Sequence, residues 1–209
     1  MANTNAPFGL RYLGLTGGPP TNSALRERRN GILSTNTTAI YTGDLIRQSG
    51  DGYLYQWTAT TSAHLCYGVF AGCRYASVSQ QTTVPQKYYP GTDAITGSVL
   101  AQYYPAALAP SAMFVIQTDA TGITVADIGM NADIIVGTGA NGMSGAYLDT
   151  TTIATNTTRP LRIIDLWANW SMGNSPEGAG SSSSLAPGTQ AGAYNWAVVA
   201  LNNTSQQGI

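Results

Sequence analysis

Past Gly31 the chain is punctuated at short, regular intervals. Apolar runs at residues 32–34, 39–41, 44–47, 53–57 and 65–70 are separated by Asn36, Gly43, the Gly50-Asp51-Gly52 turn and a polar run over residues 60–63. An amphipathic helix needs about ten uninterrupted residues, whereas a strand needs only about five, rich in β-branched and aromatic side chains. Only strands fit between breakers this close. The spacing therefore predicts an all-β fold, a compact β-barrel or sandwich-like body. Within it, Tyr53, Tyr55 and Trp57 share one strand face, which reads as sheet packing.

The stretch over residues 114–149 carries the most distinctive local pattern. Residues 114–118 alternate with period two and read as a strand; Asp119-Ala120-Thr121-Gly122 is a turn. Val125, Ile128 and Ala132 share a face, enough for one helical turn that Gly129 and Asn131 stop. A short strand follows at residues 134–136. Next comes Gly137-Thr138-Gly139-Ala140-Asn141-Gly142, a match to G-x-G-x-x-G, with Asp165 at the distance of a ribose-binding carboxylate. A dinucleotide site needs a helix to open at the third glycine, so that its N-terminal NH groups face the pyrophosphate. Here Gly145 and a threonine-rich run over residues 150–158 follow, without an apolar helical face. The motif reads as a glycine-rich loop between two strands.

Residues 161–170 and 194–202 predict the last two strands, and the Gly/Ser-rich segment 171–193 between them is an insertion too poor in apolar residues to pack. Residues 75–110 read as a long excursion bearing Tyr88-Tyr89-Pro90 and Tyr103-Tyr104-Pro105, whose tyrosines are expected to be exposed and to contact a partner. Residues 1–31 read as an extended N-terminal arm ahead of a single domain over 32–209. Asn5, Pro7, Gly9, Gly14 and Gly17-Gly18-Pro19-Pro20 leave no room for an element of ordinary length. Yet Phe8, Leu10, Tyr12, Leu13 and Leu15 need a surface to lie on, either this chain's own body or a neighbour. Arg26, Arg28 and Arg29 close the arm around Glu27 as a solvated turn or as a contact for an acidic partner.

Charged residues make up 9% of the chain, against about 25% in soluble domains, while hydrophobic residues make up 43%. A surface so poor in charge and rich in Thr, Ser, Asn, Gly and Tyr suits a component covered by partners in an assembly. The net charge of −1 gives no nucleic-acid footprint, and no run approaches a membrane span. The first residues lack a signal peptide's basic and apolar regions, so synthesis in a cytoplasm is expected.

Little chemistry is encoded. His64, Cys66 and Cys73 are the only histidine and cysteines; seven residues apart, the two thiols point to opposite faces of a strand. That opposes a zinc site, a Cys-His nucleophile and a disulfide, leaving two buried free thiols. Asp119, Asp127, Asp133 and Asp149 form no calcium loop and read as turn formers. No cofactor, metal or catalytic residue is assigned.

Asn5-Ala6-Pro7-Phe8-Gly9-Leu10-Arg11, Tyr41-Thr42-Gly43-Asp44, Gly68-Val69-Phe70-Ala71-Gly72-Cys73-Arg74-Tyr75, the block 116–149 and Leu161-Arg162-Ile163 together resemble the capsid cement, or head decoration, proteins of tailed bacteriophages. The resemblance implies a β-rich body with an extended arm on the capsid exterior of the virion, non-enzymatic, bridging major capsid protein subunits and often trimeric. Under it, the expected capsid or subunit contacts are Phe8, Leu10, Tyr12, Leu13, Arg26, Arg28, Arg29, Tyr88, Tyr89, Tyr103 and Tyr104. Two other classes stay open: a carbohydrate- or receptor-binding virion module, suggested by the abundance of Tyr and Trp, and a hydrolase using the scattered aspartates.

Overall fold

A computed structural model describes residues 3–15, 24–58, 65–109, 111–167, 188 and 191–204. The protein is nearly all β, with 48% strand and 5% helix. The strands are β1 (Arg11–Leu15), β2 (Arg26–Arg29), β3 (Ile40–Tyr41), β4 (Leu45–Gln48), β5 (Leu54–Gln56), β6 (Cys66–Ala76), β7 (Thr83–Gln86), β8 (Tyr88–Tyr89), β9 (Leu100–Pro105), β10 (Ala112–Gln117), β11 (Asn131–Ile135), β12 (Tyr147–Ala154), β13 (Leu161–Leu166) and β14 (Trp196–Leu201). One six-stranded sheet runs β1-β10-β14-β13-β11-β12. A second runs β2-β9-β6-β4-β5, with β7 also on β6, and β3 pairs β8 in a small third sheet. All the strand pairings are antiparallel.

Side-chain alternation divides the interior into two cores, with the second sheet between them. Leu45, Cys66 and Val69 point to the first core and meet Phe114, Ile134, Leu148, Ile163 and Val199 of the first sheet. Their neighbours Ile46, Phe70 and Cys73 point the other way, onto Ile32, Ile40 and Tyr89. This explains why β6 is apolar up to Cys73: both of its faces are covered along that part, whereas Arg74 beyond it is exposed.

The amino-terminal segment is extended but lies on its own body. Phe8 and Leu10 are 6% and 3% exposed, and β1 is an edge strand on β10, so an ordinary element does fit where none was expected. Gln117 secures the entry: its Oε1 accepts from the Ala6 amide and its Nε2 donates to the Thr4 carbonyl. The basic run over residues 26–29 is likewise a strand, β2, not a turn; pairing with β9 supplies the backbone partners. The stretch over residues 75–110 is not a loop excursion, since it contains β7, β8 and β9. Pro105 ends β9 without shortening the strand before it. No strand forms at residues 32–34, although Ile32 is buried in the second core. Most of the 171–193 insertion lies outside the described residues, as do residues 1–2, 16–23 and His64.

The glycine-rich loop joins β11 to β12, as its sequence predicts. Ala140 and Met143 exchange both backbone hydrogen bonds around Asn141 and Gly142, whose φ values of 52° and 80° fit a two-residue hairpin turn. Gly137 and Gly139 serve close approaches: a Cβ on Gly137 would stand 2.1 Å from the Gly145 carbonyl oxygen, and one on Gly139 would stand 2.4 Å from the Tyr41 ring. No helix begins at Gly142, so the geometry of a pyrophosphate cradle is lacking.

Candidate functional site: a basic edge and a polar cleft

The expected contact residues separate into two groups. Phe8, Leu10, Tyr89 and Tyr103 are taken up by the protein's own interior. Phe8 packs edge-on against Trp196 at 4.8 Å. Tyr89 is fully buried and its hydroxyl donates toward the carbonyls of Leu33, Ser34 and Asn36, tying down a segment without regular structure. Tyr12, Leu13, Tyr88 and Tyr104 are half-buried. Tyr12 stacks on Tyr104 at 4.4 Å and Tyr88 stacks on Tyr41 at 5.4 Å. These rings hold strands and layers together, which corrects the picture of tyrosines displayed on a loop.

The arginines are the accessible group. Arg26 and Arg29 are exposed, while Arg28 folds back, donating to the Tyr67 hydroxyl and the Gly52 carbonyl. Glu27 accepts from Gln102 Nε2. Charge is kept on an edge strand, where it discourages unwanted strand addition. Arg74 on β6, which sequence reading did not single out, joins this surface; its only sequence signal was an exposed charge inside an apolar strand.

A second feature is a cleft of about 460 Å³ near the start of the glycine-rich loop, lined in part by Asn5, Asp119, Thr138, Tyr147 and Tyr194. Tyr194 has φ 59°, a strained conformation for a large side chain. Asn195 beside it is buried and fixes the wall: its Oδ1 accepts from Thr118 Oγ1 and the Ile123 amide, and its Nδ2 donates to the Ile123 carbonyl. Burial raises the Asp119 pKa, but hydrogen bonds from Thr150 and from the Thr121, Thr150 and Gly122 amides outweigh it and hold the carboxyl below its ordinary value. Asp119 is thus an ionised anchor for β12, with its acceptor capacity largely used inside the chain.

The other aspartates are dispersed. Asp127 accepts from Thr124, and Asp149 accepts from Thr151. Asp133 stands opposite Asp149 across β11 and β12 and pairs with Arg159 at 3.0 Å. Burial, then the Asp149 charge, push the Asp133 carboxyl up, while Arg159 pulls it down. Neither Asp133 nor Asp149 lines the cleft. Among the described residues no group of three or more His, Cys, Asp or Glu side chains is placed to hold a metal ion. No described helix is long and apolar enough to cross a membrane.

Cys66 and Cys73 are free and buried, one in each core, as expected from their spacing, although β6 does not alternate strictly: two one-residue register shifts, between Cys66 and Gly68 and between Phe70 and Gly72, cancel. Burial pushes both thiols up, Cys73 to about 12. Neither is expected to react with an alkylating agent at neutral pH until the protein is denatured; mass spectrometry of labelled native protein checks this. Cys66→Ser or Cys73→Ser should cost about 1–3 kcal/mol by burying a hydroxyl in an apolar site. Because the folded values lie above the ordinary 9.0, the protonated thiols' contribution to stability is complete below about pH 9 and is lost as pH rises toward 12.

Fold and surface together define an all-β protein of packed antiparallel sheets, with a basic edge on one sheet and a polar cleft on another. No protein-family model matches the chain, and neither a curated protein nor a solved structure shows significant similarity to it.

Proposed function

We propose that this chain is a non-enzymatic structural protein of a tailed-bacteriophage head. It binds the outside of the capsid shell and stabilises it by bridging neighbouring major capsid protein subunits, working as a homotrimer. The observation that carries this reading is the charge-poor composition, 9% of residues, which suits broad polar contacts that repel neither a second copy nor a shell. The cement-protein resemblance of its sequence blocks supplies the identity of the shell. On this reading the protein is made in the host cytoplasm and resides on the virion exterior, with neither nucleic acid nor membrane as partner.

The cleft with Tyr147 and Tyr194 favours a second reading, a carbohydrate- or receptor-binding virion module, because aromatic rings beside hydrogen-bonding groups suit a sugar. Quantifying the protein in purified particles separates the two. A cement protein is expected in numbers matching the shell lattice, and sedimentation should give a trimer. A few copies confined to the tail would favour the receptor reading, and absence from particles would reject both. A monodisperse monomer at high concentration, with no trimer on the particle, would reject the trimer.

A further inference from the structure

Backbone pairing places Arg29, Leu100, Arg74 and Pro85 in one row across β2, β9, β6 and β7. Arg29 and Arg74 therefore flank Leu100 on the same face of the second sheet, about 10 Å apart at the backbone, two strand spacings. Of β6, only Cys66 and Val69 enter the first core, so this face is uncovered beyond Gly72. Both arginines are exposed there and line a concave shelf of about 290 Å³, with Asn30, Thr83 and Ser98 among its other walls. Neither guanidinium forms a hydrogen bond, ion pair or ring contact with any described residue, in contrast to the side chains of Arg11, Arg28, Arg47 and Arg159. The nearest acidic side chain on β2, Glu27, is held by Gln102.

We propose that this shelf is a docking site for an acidic segment of a partner protein, which places one carboxylate on each arginine. Guanidinium groups bind carboxylates through paired, charge-assisted hydrogen bonds, and two such groups at fixed separation select a ligand carrying two acidic side chains at a matching distance. Nucleic acid is disfavoured, since two arginines in a chain of net charge −1 do not form the extended basic track a phosphate backbone needs. Leu100 gives the partner's aliphatic stems an apolar floor. The inference rests on this surface alone and goes beyond the shell reading, because it specifies partner chemistry whichever assembly supplies the segment.

The test is fluorescence anisotropy with the purified chain and a labelled Glu-Thr repeat peptide, alongside its Gln-Thr counterpart and an oligothymidylate of similar length. At low salt the Glu-Thr peptide is expected to bind and the Gln-Thr peptide not to, with affinity falling as salt shortens the screening length. Arg29→Gln or Arg74→Gln should each weaken binding about tenfold, as expected for losing one charge-assisted contact. The double variant should abolish it, and Arg162→Gln, an exposed arginine on β13, should change nothing. Thermal melts like those of the unaltered protein keep these losses from being read as unfolding. Equal binding of both peptides, no binding of the Glu-Thr peptide, an equal effect of Arg162→Gln, or an unaffected double variant would each overturn the proposal. Tighter binding of the oligothymidylate would assign the shelf to nucleic acid instead. Shell binding is measured separately, so failure here leaves the capsid reading standing, and the converse also holds.

Discussion

Deleting residues 1–15 is expected to abolish the cooperative thermal transition of the protein. The segment brings Phe8 and Leu10 into the interior, each worth about 1.5–3 kcal/mol of burial. It also adds β1 to the first sheet and stacks Tyr12 on Tyr104. Two further backbone hydrogen bonds, from the Gly9 amide to Ala146 and from the Leu10 amide to Gly43, sew it to other loops. Without it β10, buried along its whole length, becomes a bare apolar edge, and Gln117 loses two partners in the interior. The combined loss is of the order of the whole net stability of a domain, about 5–15 kcal/mol. Circular dichroism of the truncated protein should show a broad, non-cooperative melt, and aggregation is expected. A truncated chain that melts cooperatively near the full-length temperature would show that the segment is a dispensable arm.

Gly137→Ala is expected to lower the melting temperature by about 6–12 °C, taking about 3 kcal/mol of overpacking and about 2–4 °C per kcal/mol for a domain of this size. The new methyl would meet the Gly145 carbonyl oxygen at 2.1 Å and its carbon at 2.8 Å. Both are backbone atoms, so no flexible side chain can yield. Gly50→Ala is the control: a Cβ there meets nothing within 4 Å, and the change should stay within about 0.5 kcal/mol. Had the loop been a phosphate cradle, the substitution would mainly cost nucleotide affinity. Calorimetry of the unaltered protein with NAD or ATP is instead expected to show no heat of binding. Saturable nucleotide binding, or a Gly137→Ala protein as stable as the parent, would reverse the assignment of these glycines to packing.

Local chemistry was enough to read much of this fold. Period-two alternation marked β10, and closely spaced breakers excluded long helices. The odd spacing of Cys66 and Cys73 gave opposite cores, an outcome that two cancelling register shifts in β6 preserve, and the threonine run after Gly145 excluded a dinucleotide fold because stiff β-branched side chains favour the strand that most of it became, β12. Asn141-Gly142 was a readable hairpin signal that went unused.

What tertiary structure decided was pairing, which no short window contains. The run Arg26 to Arg29 has no apolar alternation and becomes a strand because β9 offers an open row of backbone groups. Tyrosines beside prolines looked like display residues, yet the small third sheet and the segment before it bury Tyr89, and β9 turns Tyr103 into the second core. The chain's own body supplies the surface that Phe8 and Leu10 require. Arg74 stands beside Arg29 only because β9 lies between their strands in register. Sequence fixes which side chains alternate and where the chain must turn, since those depend on neighbouring residues. Which strands become neighbours depends on contacts made across the fold, and so the buried tyrosines and the basic shelf emerge only with the sheets assembled.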